Sequence, residues 1–196
     1  MSRFPHRPRV AFQGEPGAFS EEAALKLLGT EIDTVPRPTF ADLFHSLDEG
    51  VADYILAPVE NTISGVVQPS VDLLEESKLA TIGEVLIPVA QHLIACRGVT
   101  FEDVRLVQSH PVAIAQCTLF FAQHPQLQAI VADDTAGSVA DIVRLGEPSR
   151  AAIAGKRAAE IYGAAIIVES IQDQQENFTR FVLLSPSADH ALELQS

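Results

Sequence analysis

Four short segments of this chain gather small, hydroxyl and amide side chains where an apolar run gives way to a helical one. They are Gly17-Ala18-Phe19-Ser20, Asn61-Thr62-Ile63-Ser64-Gly65, Ser109-His110-Pro111 and Asp134-Thr135-Ala136-Gly137. The first turn of a helix exposes unpaired backbone N–H groups carrying roughly half a positive charge, so each junction offers a seat for a carboxylate or phosphate. The same residue types also suit plain helix caps, and Ser20, Ser64 and Thr135 read equally well in that way. Glu60 and Asn61 follow a strand and a proline. Glu60 there is either a buried carboxylate with a shifted pKa or a solvated loop acid. His110 sits at a strand end and is better placed for chemistry than His92, which lies in an apolar run and reads as a core histidine.

Other chemistries find no support. Gly14 and Gly17 match neither a phosphate loop nor the G-x-G-x-x-G spacing, and no G-x-S-x-G elbow is present. Cys96 and Cys117 stand far apart with no ligand cluster around them, so they read as small buried hydrophobes suited to a reducing cytosol, and no metal is expected. With 13 basic against 26 acidic side chains, a net charge of −13, neither nucleic acid nor an anionic membrane is an expected partner. An anionic substrate must then be captured locally, by hydroxyls and backbone N–H groups. No run of about 18 apolar residues spans a membrane, and the start of the chain lacks a signal peptide's apolar stretch. A cytoplasmic protein is expected.

Positioning these segments requires regular elements, and the hydrophobic spacing supplies them. Val10-Ala11-Phe12 reads as a strand, Ser20 to Leu28 as a helix stopped by Gly29, and Phe40 to Leu47 as a helix capped by Thr39 and ended by Gly50. Tyr54 to Ala57 is a strand, and a helix runs through Val71 and Leu74. The long run Ile82 to Cys96 is strand-like, interrupted only by Pro88, which fits a bend or an edge. Leu106-Val107, Ala129 to Ala132, Ala151 to Ala154, Ala165 to Val168 and Arg180 to Leu184 read as strands. Between them lie helices from Pro111 to Ala122, Thr135 to Leu145 (closed by Gly146) and Lys156 to Tyr162 (closed by Gly163). The alternation predicts an α/β protein with mostly parallel sheets, arranged as two small lobes with a ligand cleft between them. The lobes are expected at residues 1–88 plus 178–196 and at residues 89–177.

Four blocks, in this order, carry a resemblance: GEPGAFSEEAA, PVENTISGVV, SHPVAIAQC and IQDQQENFTRFVLL. Together they resemble prephenate dehydratase over nearly the whole chain, from about Val10 to Leu184. The resemblance implies a type II periplasmic-binding-protein-like fold, with one dehydratase domain formed by the two lobes. It implies conversion of prephenate to phenylpyruvate, carbon dioxide and water in phenylalanine biosynthesis, a lyase reaction that needs no cofactor. Thr179 falls on the threonine of the TRF motif, Asn61 on the asparagine of the E-N-S/T block, Ser109 on the SHP serine and Gln116 on the QC glutamine. These four are the expected catalytic set. Ala18, Phe19, Ser20, Glu60, Ser64, Gly65, His110, Thr135, Ala136 and Phe181 are the expected substrate-binding residues, with Phe19 and Phe181 as walls. Arg180, one residue after Thr179, should face the other way and pair with Glu60 or Asp173.

Two rival readings stay open: arogenate dehydration, which is the same chemistry on an amine-bearing substrate, and a non-catalytic two-lobed binding module. By the same resemblance, full-length family members usually continue into a C-terminal ACT domain with a Glu-Ser-Arg-Pro motif. Here Glu169-Ser170 continues as Ile171-Gln172 and the sequence stops at Ser196. Insensitivity to phenylalanine, and any homodimer forming through the lobes themselves, are the matching expectations.

Overall fold

In the computed structural model, which describes residues 7–188, the run Val10-Ala11-Phe12 forms the fully buried middle of strand β1 (Arg9–Gln13). Helix α1 (Phe19–Leu28) follows, with Glu21 and Glu22 in its first turn and Lys26 in its last, the order that complements the helix dipole. Next comes a strand that periodicity missed, β2 (Asp33–Arg37). Pro36 hides it from a sequence reading, yet β2 lies at the edge of its sheet, where a missing N–H is tolerated. Helix α2 (Phe40–His45) is capped by Thr39, whose hydroxyl accepts from the Asp42 N–H at 3.1 Å. It ends sooner than expected, the chain turning from Ser46 onward.

Strand β3 (Tyr54–Asn61) runs past its predicted end, and β4 (Gly65–Val66), α3 (Gln68–Glu76) and β5 (Ala80–Pro88) complete this stretch. Strand β6 (His92–Ala95) begins four residues after Pro88, so the long apolar run is two strands rather than one. Then come β7 (Leu106–Ser109), α4 (Pro111–Ala115), α5 (Thr118–Gln123), β8 (Gln128–Val131), α6 (Thr135–Leu145), β9 (Arg150–Ala154), α7 (Lys156–Tyr162), β10 (Ala165–Val168) and β11 (Phe178–Ser185).

The elements fall into two units. Among the described residues, the first holds residues 7–14, Ser20–Pro88 and residues 178–188; the second holds Glu15–Phe19 and Val89–Asn177. The expected boundary at residue 88 places residues 15–19 in the first unit, and the structure places them in the second. Gly17 explains the difference: at φ +94°, it packs so close to α7 that an added Cβ would lie 2.7 Å from Ala158 Cα. Only glycine meets both demands. Phe19 likewise lays its ring over Gly155, where a Cβ would lie 2.9 Å from a ring carbon.

The sheet of the first unit has the order β2-β1-β3-β11-β5, with β4 beside β3. Strand β1 is parallel to β2 and β3, whereas β11 is antiparallel to both its neighbours. The sheet of the second unit has the order β10-β6-β9-β7-β8, with β7 parallel to β8 and β9, and β6 antiparallel to β9 and β10. Both sheets are therefore mixed, which corrects the expectation of mostly parallel ones. Helical crossovers force parallel pairing only among the strands they join; β6 and β11 enter their sheets where the chain passes from one unit into the other.

In the first unit, Leu43, Ile55, Ala57, Val182 and Leu184 are buried with Phe40, Val71 and Leu74 packed against them, so α2 and α3 cover this face of the sheet. In the second, Leu93, Val107, Cys117, Phe120 and Ile153 form the buried cluster. Truncating a fully buried leucine such as Leu43 or Leu93 to alanine costs about 2–5 kcal/mol.

Two irregularities matter for the site. Pro58 lies inside β3 opposite Phe181, and the β3–β11 register shifts between Arg180 and Phe181. A proline has no N–H to give to the ladder, so a bulge here is the natural accommodation. Beyond it the register puts Asn61 opposite Thr179. In the second unit the predicted Pro111–Ala122 helix breaks at Gln116 and Cys117. The Asp173 N–H donates to the Gln116 carbonyl at 2.7 Å, and the Asp173 carboxylate accepts from the Thr118 and Leu119 N–H groups, each at 3.0 Å. That side chain supplies α5 with its own N-terminal acceptor.

Candidate active site

Asn61 and Thr179 form the centre of a polar cluster in the first unit. Both are buried, Thr179 at 9% exposure and Asn61 at 7%. The Asn61 carboxamide oxygen accepts from the Ile63 N–H (3.0 Å), the Ser64 N–H (2.9 Å) and the Ser64 hydroxyl (3.0 Å). Three donors on one oxygen fix which end of the amide is which. Its nitrogen must therefore point to β11, where it donates to Thr179 Oγ1 at 2.9 Å and to the Phe178 carbonyl at 3.1 Å.

The consequence for Thr179 is directional. Its oxygen is engaged as an acceptor, and among the described residues no acceptor takes its hydrogen. A hydroxyl that receives a hydrogen bond while holding a free hydrogen is a better donor than a lone one, since each bond in a chain polarises the next. Ser64 and Gly65 belong to the same turn, Gly65 at φ +79°. The Ser64 hydroxyl holds Asn61 rather than capping a helix.

Strand alternation separates the neighbours. Arg180 lies opposite Glu60, and its guanidinium approaches Glu60 at 3.4 Å and Glu84 at 3.7 Å. Glu60 is half-exposed and turns away from the Asn61–Thr179 pair, so the structure does not bring it into this cluster; Asp173, the other expected partner of Arg180, is occupied at α5. Phe181 is buried at 2% exposure within the sheet, a core residue and not a wall open to a ligand.

Two of the expected junctions lie wholly in the second unit, and residues 17–19 of a third belong to it as well. At α6 the cap is Asp134, not Thr135: its carboxylate accepts from the Gly137 N–H at 2.6 Å. Burial pushes the Asp134 carboxyl above its usual 3.8, against the pull of backbone N–H groups from Gly137, Ala136 and Glu15 and of the neighbouring His110. At α4, His110 Nδ1 accepts from the Val112 N–H at 3.2 Å. Both helix starts thus hold side-chain acceptors of their own, Asp134 at α6 and His110 at α4. Thr135 and Ala136 occupy the first turn of α6, Ala136 fully buried. Ala18 is buried beside the Phe19–Gly155 contact, and Ser20 lies buried in the first turn of α1.

Ser109 is fully buried and donates to the Ile153 carbonyl at 2.7 Å, so its hydrogen is spent on tying β7 to β9. Gln116 stands at the α4–α5 break, its side-chain oxygen accepting from Gln91 at 3.3 Å and from Asn177 at 3.2 Å. Cys117 is buried as expected, whereas Cys96 is only partly so and donates to the Ile142 carbonyl at 3.3 Å.

The description prephenate dehydratase applies to a family profile that matches residues 10–189. The chain belongs to the prephenate dehydratase family. Arogenate dehydratase 1 of Petunia hybrida is 42% identical over 180 residues, covering 90% of this chain and 42% of that protein. The chain spans less than half the length of the curated relatives it matches. Among solved structures, prephenate dehydratase from Arthrobacter aurescens, in complex with L-Phe, superposes with a TM-score of 0.82 at 29% identity, over 90% of this chain and 60% of that one. GqqA, described as a novel type of quorum quenching acylase, gives a TM-score of 0.82 at 32% identity over 91% and 64% of the two chains. A nutrient binding protein from Burkholderia cenocepacia, bound to methionine, shares the fold alone, with a TM-score of 0.51 at 11% identity over 96% of this chain and 90% of that one. That likeness is one of fold alone, and it agrees with the periplasmic-binding-protein-like architecture expected from the sequence.

Within the prephenate dehydratase frame, the expected residues that come together are Asn61, Ser64, Gly65 and Thr179 in the first unit, and His110, Thr135 and Ala136 around Asp134 in the second. Sequence reasoning missed Thr62, Gln91, Asn177 and the capping role of Asp134. Asp134 was within reach, being a strong cap former one residue ahead of the helix. The other three act through partners far away in the chain. Among the described residues, no group of three or more His, Cys, Asp and Glu side chains could hold a metal ion, and no helix is long and apolar enough to cross a membrane.

Proposed function

We propose that this chain catalyses the decarboxylating dehydration of prephenate to phenylpyruvate, as a carbon–oxygen lyase. The observation that carries the reading is the Asn61–Thr179 hydrogen bond, which turns the Thr179 hydroxyl into a donor with its hydrogen free. In the reaction the bond from C1 to the ring carboxylate breaks, and its electron pair moves through the ring to expel the C4 hydroxyl. One proton taken up turns that hydroxyl into water, and the products are phenylpyruvate, carbon dioxide and water.

Thr179 donates to the C4 oxygen as negative charge develops on it, which lowers the barrier at the step where the donor is worth most. A threonine hydroxyl is too weak an acid to protonate the leaving group alone, so it acts as the first member of a relay. Local amide and hydroxyl donors also suit a dianionic substrate whose ring carboxylate must leave. A tight cationic clamp on that group would stabilise the ground state instead.

The assay is the appearance of phenylpyruvate from prephenate with purified protein. Thr179→Ala lowers kcat by about 100-fold, the loss of one positioned donor, while Thr179→Ser keeps most of the rate because the hydroxyl survives. A wild-type protein that leaves prephenate untouched, or an alanine variant with wild-type kcat, overturns the reading.

The Petunia relative, named as an arogenate dehydratase, supports a second reading in which the same residues act on arogenate and release phenylalanine. Competing the two substrates in one reaction and comparing kcat/KM decides between them. We assign the activity to the cytoplasm, a compartment that suits the free thiols of Cys96 and Cys117; cell fractionation tests that assignment.

A further inference from the structure

Thr179 is the second residue of β11, and strand ends fray unless something ties them down. The tie is visible in the backbone bonds around Phe178, the residue with which β11 enters the sheet of the first unit. Its carbonyl accepts from the Thr62 N–H at 2.9 Å as well as from Asn61. Its N–H donates to the Thr62 hydroxyl, also at 2.9 Å. In an undisturbed antiparallel ladder that second bond would go to the backbone carbonyl of the facing residue. Here the chain has already begun the turn that Asn61 organises with Ile63 and Ser64. The Thr62 hydroxyl stands in for a backbone acceptor and carries the ladder one pair further.

We propose that Thr62 is a positioning residue for Thr179, its hydroxyl pinning the Phe178 peptide so that the Thr179 donor holds its aim. The inference rests on the dehydratase reading and deepens it. Thr62 touches no substrate in this account; it acts only through the backbone next to Thr179. Because the aim matters chiefly in the transition state, losing the pin lowers kcat and leaves KM alone.

The test uses Thr62→Val, nearly isosteric and placed at an exposed position where valine does not threaten the fold, with Thr62→Ser as the conservative control. In Thr62→Val kcat for prephenate falls about tenfold with KM within about twofold, and Thr62→Ser restores the rate. The decisive arm repeats Thr62→Val in the Thr179→Ala background, where it has no further effect on kcat, since a residue that acts only through Thr179 has nothing left to position. Amide exchange at Phe178 in Thr62→Val speeds up in parallel. An unchanged kcat in Thr62→Val, or the same tenfold loss in both backgrounds, overturns the inference while the Thr179→Ala result leaves the dehydratase reading standing. Wild-type kcat in Thr179→Ala removes the reading itself and the inference with it.

Discussion

Replacing Asn61 by aspartate reverses a single hydrogen bond, and the structure fixes what that reversal does. The carboxamide oxygen keeps its three donors from Ile63 and Ser64, now strengthened by charge. The nitrogen, which donates to Thr179 Oγ1 at 2.9 Å, becomes a carboxylate oxygen that can only accept. Thr179 must then turn its hydrogen toward the new carboxylate, and its donor is lost to the substrate without the hydroxyl being removed. A missing donor at a developing oxyanion is worth about 2.7–4 kcal/mol, so kcat falls by about 100- to 1000-fold. Stability falls as well, because a charge replaces a neutral amide at a buried position. The carboxylate faces the Phe178 carbonyl where a 3.1 Å bond stood, at a cost above the roughly 1–3 kcal/mol of a neutral group left unpaired.

Phenylpyruvate formation under saturating prephenate gives kcat, and a urea midpoint reports the stability. Two further signatures separate this account from simple damage. Adding Thr179→Ala to Asn61→Asp costs nothing more, because both changes delete the same donor. Lowering the pH toward the range where the new carboxyl gains a proton restores part of the rate, since a protonated carboxyl can donate again. An Asn61→Asp enzyme with wild-type kcat, folded and saturable, refutes the directional argument.

Three other outcomes are expected. Burial, with Asp173 nearby, pushes the Cys117 thiol up to about 12, so in native protein at neutral pH it resists alkylation while Cys96 is labelled first; peptide mass mapping reads the order. His92 Nδ1 accepts from the Ser170 N–H at 3.1 Å, and partial burial holds the ring's pKa below 6.5, outweighing the attraction of Glu169 and aided by Lys156. The unfolded chain therefore takes up the proton first. This contribution to stability is complete above pH 6.5 and lost as pH falls through the lower native pKa, a slope in Tm that His92→Gln abolishes. Gly17→Ala, which forces a Cβ to within 2.7 Å of Ala158 Cα at φ +94°, lowers the urea midpoint by the equivalent of about 1–3 kcal/mol.

Helices α6 and α7 were legible from their apolar spacing and from Gly146 and Gly163, both of which close their helices in the left-handed region at φ +67°. Signals of that kind lie within one or two turns of the feature they announce. The break between α4 and α5 has no such local mark, because the acceptor that starts α5 is Asp173, 55 residues downstream of Thr118. The same distance problem governs the site. Asn61 and Thr179 are 118 residues apart, and no periodicity joins them; only the order of four blocks, read as a family resemblance, named both. Thr62 escaped because its contribution is a bond to a backbone amide, which leaves no imprint on side-chain pattern. Where propensity left a choice between neighbours, as between Asp134 and Thr135, only geometry could decide it.

The place of β11 in its sheet bears on the order in which this protein can be built. During synthesis β1 to β5 leave the ribosome first, but among the described residues β5 pairs with no strand except β11, which is wedged between it and β3. The second unit is closed by residue 177 and has every strand of its sheet before β11 is made. The first unit must therefore wait, its sheet split, until Phe178–Ser185 emerges to fill the gap. Such long-range closure is intrinsically slow and leaves edges of β3 and β5 open to wrong partners meanwhile. The wait also bears on the proposed site: the strand that completes the sheet is the one that carries Thr179. A nascent chain halted before it would hold Asn61 with no Thr179 hydroxyl to direct, and that hydroxyl arrives only with β11.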